Sequence, residues 1–294
     1  MNDDHVHISN PDKILFRDKN MTKKDVINYY KKIASHILPL IKDRPIMIQR
    51  FPEGIEADGF VMKNKPDYFP DWIETIRIEK KEGGYLKQIL CNDLATLKYL
   101  VNQGTITLHS WLSEKSNLKA PNQMIFDLDP STNNLAKVKK AAFVIKKILD
   151  HHHLVSYVMT TGSKGLHIVV PIQAKYTFNQ VNDLALYLAK NAIEHAPKLL
   201  TIEQRKNARG KKVFVDTLRN AYGQTSVVPY ALRPVKEASV ATPLNWDELK
   251  KKQFNPKAYT IKNIFRRLGH VNDVWHDFQE TFNDLHFLIN KIES

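Results

Sequence analysis

The sequence predicts an α+β protein of mixed or antiparallel sheets flanked by helices, on three observations. Short apolar runs, such as MIFDLDP at 124–130 and LHIVVPI at 166–172, have strand character. Longer stretches repeat apolar residues at helical spacing, as in Val26, Tyr30, Ile33 and Ile37. The segments joining successive strands vary widely in length, which argues against a regularly alternating parallel sheet.

Taken in order, Thr22 with Asp25 three residues on resembles a capping box and opens a helix over about 22–38, which Pro39 helps to end. Pro45 to Pro52 alternates enough to form a strand. Asn92 to Asn102 is a helix stopped by Gly104, and Thr105 to Trp111 is the next strand. A strand follows from Asn122 through MIFDLDP, then a helix from Leu135 to Leu149, then strands in LVSYVMTT (154–161) and LHIVVPI around a glycine turn. Asn179 to His195 is a helix, KVFVDTL (212–218) a strand and SVVPYAL (226–232) an extended segment; helices near 245–252, 257–268 and 272–292 complete the chain. No repeat or Gly/Ser-rich linker divides it. The expectation is therefore one domain over 1–294, with an N-terminal part to about 104, a core over about 105–250 and C-terminal helices over about 251–294.

Composition narrows the partners. Of the 294 residues 44 are Lys or Arg and 31 Asp or Glu, a formal charge of +13 that favours a polyanion such as DNA or RNA, although a lysine-rich soluble surface has the same composition. Cys91 is the single cysteine, which excludes an intrachain disulfide and a cysteine-based zinc cluster. No basic-then-apolar leader and no run of eighteen apolar residues is present, so the expected location is the cytoplasm, with no membrane partner.

Two residues apart on a strand, Asp127 and Asp129 project from the same face while Phe126 and Leu128 project from the other. Two carboxylates in one small space repel unless one holds a proton or a cation neutralises them, and a divalent ion with oxygen preference, Mg²⁺ or Mn²⁺, meets that need. Asp216 is the one acidic residue of KVFVDTL. It either completes a three-carboxylate cradle for two metals or forms a salt bridge with Arg219. Between two strands, Thr161-Gly162-Ser163-Lys164-Gly165-Leu166-His167 combines glycines that free backbone N–H groups with hydroxyls and a lysine, the make-up of a phosphate cradle or of a tight hairpin turn. It lacks Walker A spacing, and a strand follows it. His167 sits at the mouth of that turn. His109 shares a strand face with Thr107 and Trp111, while the His151-His152-His153 run lacks a suitably spaced co-ligand and is incidental.

Together, HSW at 109–111, IFDLDP at 125–130, TTGSKGLHIVVP at 160–171, VFVDTLRNAYGQT at 213–225 and SVVPYALRP at 226–234 resemble the polymerase domain of bacterial ligase D, a branch of the archaeo-eukaryotic primase superfamily. The motifs occur in family order, and the resemblance runs from about Asn10 through PLNWDEL at 243–249. It implies a primase-like catalytic core in which Asp127, Asp129 and Asp216 hold two divalent ions, Mn²⁺ or Mg²⁺, for attack of a primer 3′-hydroxyl on the α-phosphate of a nucleoside triphosphate. It further implies that Thr161, Ser163, Lys164, His167 and Arg233 grip the triphosphate, and that His109, Arg219 and Arg50 line the nucleotide pocket. Asn10, Lys13 and Lys23 match positions that recognise a downstream 5′-phosphate on gapped DNA, and Phe60 one that stacks on bases. Thr161 stands where serine is common, Val61 where a second aromatic often follows, and Gln49 where a basic residue often precedes Arg50.

The resemblance also implies end-joining repair of DNA breaks, activation by Mn²⁺, a preference for ribonucleotides, a Ku-type end-binding protein as partner and nucleoid association. The match uses nearly all 294 residues, so a separate DNA ligase is expected to seal in trans. Three other readings share these residues: a primase that starts chains de novo, a metal-dependent phosphoesterase, and a non-catalytic scaffold that binds DNA ends.

Overall fold

Thr22 opens the first helix as its spacing requires. Its hydroxyl accepts the Asp25 N–H at 3.2 Å and the Asp25 carboxylate accepts the Thr22 N–H at 2.8 Å, a reciprocal capping box. The computed structural model describes residues 6–80, 83–271 and 274–293. The strands in chain order are β1 (Ile14–Phe16), β2 (Met21–Thr22), β3 (Pro45–Arg50), β4 (Phe60–Met62), β5 (Thr75–Glu79), β6 (Tyr85–Leu90), β7 (Thr105–Trp111), β8 (Gln123–Pro130), β9 (Tyr157–Thr160), β10 (Leu166–Pro171), β11 (Leu200–Thr201), β12 (Val213–Asp216), β13 (Thr225–Val227) and β14 (Pro243–Leu244). The helices are α1 (Lys23–Ile41), α2 (Leu94–Asn102), α3 (Leu135–His151), α4 (Phe178–His195), α5 (Ile264–His270) and α6 (His286–Glu293). Mixed sheets and flanking helices give the α+β class that the sequence predicts.

Contacts divide the chain into two units, the first comprising residues 1–116, 225–241 and 259–266. Its sheet has the order β13-β7-β3-β6-β5, antiparallel throughout, with β4 also paired to β3. Helix α1 packs against α2, and Val26, Ile33 and Ile37 of α1 and Leu97 and Leu100 of α2 are fully buried. Buried phenols need partners, and both here have them: Tyr29 donates to the Tyr230 carbonyl, and Tyr30 donates to the Ile106 carbonyl, each at 2.6 Å. Pro39 does not end α1, contrary to expectation. Its missing N–H deprives only the carbonyl of exposed Ser35, while buried Ile37 and Ile41 hold the last turn to the core. Strands β5 and β6 were not anticipated, although the alternation of Ile76 and Ile78 with Arg77 carries a weak signal.

The second unit comprises residues 117–224, 242–258 and 267–294. Its sheet runs β11-β12-β8-β10-β9-β14, antiparallel except for the parallel β11–β12 pair. One face places Phe126 opposite Ile168, and Leu128 opposite both Leu166 and Val215, all buried. Helices α3 and α4 cover β8, each through an apolar stripe that includes Val138, Ala142 and Ile145 or Val181, Leu184 and Leu188. The helix expected over 272–292 is reduced to α6, and residues 272–273 lie outside the described set. Upstream of it, Trp275 and Phe278, spaced like helix neighbours, instead meet the Tyr157 ring at 5.6 and 5.1 Å. Asn283 donates to the Val155 and Pro171 carbonyls, tying the non-helical segment to the sheet. The helices expected near 245–252 and 257–268 likewise appear as a 3₁₀ turn at Trp246–Lys250 and the shorter α5, because Asn255-Pro256 and the Ser239–Thr260 bridge interrupt the helical path with turns between them.

Candidate active site

Strand β8 lies between β12 and β10, so each of its residues meets a neighbour on both sides. Asp127 stands directly opposite Asp216 on β12 and His167 on β10, and opposed residues share a face. Asp129, two residues on, shares that face and stands opposite Phe214. Three acidic side chains and one imidazole are therefore collected by register alone.

Asp127 is 6% exposed. Its Oδ2 lies 3.4 Å from His167 Nε2 and 3.4 Å from Arg219 Nε, whereas its Oδ1 is buried with no hydrogen-bond partner. Burial pushes this carboxyl upward, but His167 and Arg219 together outweigh it and hold it below the ordinary value. Asp129 lacks such close cations, and burial followed by the Asp127 charge pushes it up to about 6. Asp216 is also raised, chiefly by burial; its Oδ1 accepts the Leu218 N–H at 2.9 Å and its Oδ2 lies 3.8 Å from Arg219 Nε. The two readings of Asp216 are thus compatible: it stands beside Asp127 and also faces Arg219.

Among the described residues, no three His, Cys, Asp or Glu side chains are already drawn around one point to hold an ion. The donor set nevertheless suits a hard divalent cation, since it offers carboxylate oxygens from two adjacent strands and a buried oxygen, Asp127 Oδ1, that lacks a donor.

The turn from Thr161 to Gly165 joins β9 to β10. Thr161 Oγ1 accepts the N–H groups of Ser163 and Gly165 at 3.3 and 3.2 Å, so these donors converge inward and fix the shape of the turn. Gly162 adopts φ 66°, which glycine tolerates without steric cost. Gly165 is required for another reason: a Cβ there would lie 2.5 Å from the Leu128 carbonyl oxygen. Ser163 is half-buried and Lys164 exposed, with Lys164 lining a cavity that also touches Asp129.

One positioning residue escaped the sequence reading. Asn220 is fully buried; its Oδ1 accepts the Ile125 N–H at 2.7 Å, and its Nδ2 donates to the carbonyls of Ile125 and Thr217 at 2.7 and 2.8 Å. It fixes β8 two residues before Asp127 to the turn that carries Arg219. An asparagine after an arginine in a polar turn offers no sequence signal of this role.

The remaining predicted residues belong to the first unit. His109 lies on β7 opposite Met47 and Val227, and the Arg233 N–H donates to the Ser239 carbonyl at 2.8 Å. Arg50 is 7% exposed: Nε donates to the Gln103 carbonyl at 2.8 Å, Nη1 to Tyr68 Oη at 2.9 Å, and the guanidinium lies 5.2 Å from the half-exposed Phe60 ring. These bonds make Arg50 an organiser of an aromatic surface. Near the N-terminus the Lys23 N–H donates to the Lys13 carbonyl, and Asn10, at φ 46°, accepts the Lys13 N–H, so all three predicted residues meet. Lys13 Nζ pairs with Glu53 at 2.6 Å; Lys23 Nζ donates to the Ser9 carbonyl at 2.6 Å, and burial followed by the Lys13 charge lowers its pKa.

Known proteins share this fold. Residues 22–275 match the family described as LigD, primase-polymerase domain. The chain is 30% identical over 276 residues to the bifunctional non-homologous end joining protein LigD of Bacillus subtilis, covering 93% of this chain and 44% of that protein. It is 31% identical over 249 residues to the multifunctional non-homologous end joining protein LigD of Mycolicibacterium smegmatis, covering 84% and 32%. The chain thus spans less than half the length of these relatives. A solved structure, the polymerase domain from Mycobacterium tuberculosis ligase D in complex with DNA, superposes with a TM-score of 0.88 at 25% identity, covering 95% of this chain and 99% of that one.

Proposed function

The chain belongs to the LigD primase-polymerase domain family and is a nucleotidyltransferase domain, and from that premise we propose that it is an end-joining repair polymerase. It extends a primer 3′-hydroxyl at gaps or broken DNA ends, prefers ribonucleotides and recognises a downstream 5′-phosphate. The observation that carries this reading is the register that sets Asp127 between Asp216 and His167 beside the Thr161–Gly165 turn.

Asp127, Asp129 and Asp216 would hold two divalent ions, Mg²⁺ or Mn²⁺, which when bound neutralise the triphosphate and acidify the attacking hydroxyl. The chain's own side chains supply the remaining field. Lys164 and Arg219 attract the phosphates and His167 offers a ring nitrogen beside Asp127, groups that stabilise charge developing on the reacting group. The resemblance extends this set to Thr161, Ser163, His109, Arg50 and Arg233. At the N-terminus, backbone hydrogen bonds bring Asn10, Lys13 and Lys23 together, which supports the 5′-phosphate role of these three residues, with Glu53 as the carboxylate that a phosphate would displace from Lys13. Half-exposed Phe60 offers a ring on which a base can stack. The ribonucleotide preference and the Ku-type partner rest on the resemblance alone; the end-joining context is also in the names of the relatives. No described helix is long and apolar enough to cross a membrane.

Primer extension on a short-gapped duplex with Mn²⁺ tests the reading, comparing ribonucleotides with deoxyribonucleotides, with and without the downstream 5′-phosphate. Templated addition stimulated by the phosphate is the expected result. Tight DNA binding without addition would move the assignment to an end-binding scaffold, and product on an unprimed single strand would move it to a primase.

A further inference from the structure

In the first unit, a cavity of about 530 Å³ lies between the segment that precedes α1, the N-terminal half of α1 and residues 261–265. It shares no residue with the carboxylate site or with the cluster of Asn10, Lys13 and Lys23. Helix α1 lines it with Asp25, Asn28, Tyr29 and Lys32, at the spacing that puts four side chains on one helix face. Lys19, Lys262 and Phe265 wall it from the other two segments. The Ser239–Thr260 bridge and the Ile261 N–H, which donates to the Ala238 carbonyl at 3.2 Å, fix the stretch that carries Lys262 and Phe265. The Phe265 ring lies 5.8 Å from the buried Tyr29 ring that braces it and 5.9 Å from Lys32 Nζ. Lys19, Lys32 and Lys262 are exposed and form no ion pair among the described residues. Asp25 Oδ2 is taken by the Thr22 N–H and hydroxyl, so these cations are not neutralised from within the cavity.

We propose that this cavity is a separate binding site for a free nucleoside monophosphate, with the base on the Phe265 ring and the phosphate among Lys19, Lys32 and Lys262. The proposal goes beyond the polymerase reading and does not depend on it. Three lysines against one carboxylate leave a net charge of +2, and a phosphate monoester carries about −1.5 to −2 at neutral pH. A ring beside the cations calls for a ligand with a flat apolar face next to its charge, which an inorganic anion lacks. The side-chain amides of Asn20 and Asn28 have no partner among the described residues, and each offers both a donor and an acceptor, as the edge of a base requires. The volume falls within the roughly 300–1,000 Å³ of small-molecule sites. Three segments of chain wall the cavity, which suits a molecule that ends inside it over a strand that must run through.

Calorimetric titration of AMP, adenosine and inorganic phosphate into the full chain, with divalent ions removed by EDTA, tests this. AMP is expected to bind at least about ten-fold more tightly than either fragment, because only AMP meets both the ring and the lysines. Lys32→Gln and Lys262→Gln lie at exposed positions that leave the fold intact, and each should weaken AMP about ten-fold, the effect of losing one charge-assisted contact. Phe265→Leu should weaken AMP to a similar extent through lost stacking, and Phe265→Tyr, which keeps the ring, should bind as the wild type does. Asp127→Ala should also bind AMP with unchanged affinity. Equal affinity for AMP and phosphate overturns the proposal and leaves a simple anion site, and wild-type affinity in the lysine and leucine variants overturns it as well. Loss of AMP binding in Asp127→Ala places the nucleotide at the carboxylates instead. A thymidine hexanucleotide that binds through Lys32 and Lys262 where AMP does not bind gives these lysines to a strand backbone, and the proposal falls.

Discussion

Asp216 faces Asp127 directly across the β8–β12 ladder, and Arg219 reaches both carboxylates, at 3.8 and 3.4 Å. One cation between two acids reduces their repulsion without satisfying either, since Asp127 Oδ1 still lacks a donor. Asp127→Ala or Asp216→Ala is expected to lower extension by about a thousand-fold or more, because several kcal/mol of charge stabilisation depends on each ligand. DNA binding should stay within about three-fold, as phosphate contacts elsewhere supply most of it. Substantial extension by either variant would sink the carboxylate assignment.

Asn220→Ala should destabilise the fold by about 2–4 kcal/mol, since it leaves the Ile125 N–H and carbonyl buried and unpaired. Asn220→Asp keeps the acceptor but sets a carboxylate against the carbonyls of Ile125 and Thr217, so its loss should be at least as large. Urea unfolding measures both. A change below about 0.5 kcal/mol in the alanine variant would show that β8 does not depend on this side chain.

Gly165→Ala should cost about 1–3 kcal/mol, because the methyl group would displace β8 at Leu128, one residue from each active-site aspartate. Gly269 in α5 meets nothing within 4 Å at its would-be Cβ. Gly269→Ala should therefore be neutral or stabilising by up to about 1 kcal/mol, which makes it the control for the same denaturation series.

Lys23→Ala is expected to weaken binding to gaps that carry a 5′-phosphate by about ten-fold, the scale of one charge-assisted contact, and to gaps that lack it much less. Fluorescence anisotropy with paired substrates reads the difference. Equal losses on both would instead reflect the bond from Lys23 to the Ser9 carbonyl, a purely structural role.

Asp284 accepts a hydrogen bond from Tyr176 Oη, another from the His286 N–H at 2.9 Å, and an ion pair from Lys175 at 3.1 Å, which together hold its carboxyl down at about 2. A depressed carboxyl stabilises the folded state fully above the unfolded value near 4, and that contribution is lost as pH falls towards 2. The stability gap between wild type and Asp284→Asn should be constant above about pH 5 and should close below about pH 4. A gap that persists unchanged to about pH 2 rules out this linkage, and a carbon-detected titration of Asp284 gives the midpoint directly.

The sequence by itself determined the local chemistry. The capping box at Thr22 and Asp25, the strands at Thr105–Trp111 and around Asp127, and the helices after Leu135 and near Asn179 were legible because propensity, capping and periodicity act within a few residues. Alternation along a strand likewise fixed that Asp127 and Asp129 share a face. Where tertiary contacts outweighed local pattern, the reading missed: buried Ile37 and Ile41 carry α1 past Pro39, and the ring of Tyr157 draws Trp275 and Phe278 out of a helix. Only the tertiary structure decided which acids face one another. Strand register between residues about forty and about ninety positions apart places His167 and Asp216 on either side of Asp127, and the same packing binds Asn220 to Ile125 and seats Arg209 beside Asp129. Hydrogen bonding between strands is non-local, so no spacing within the chain encodes it.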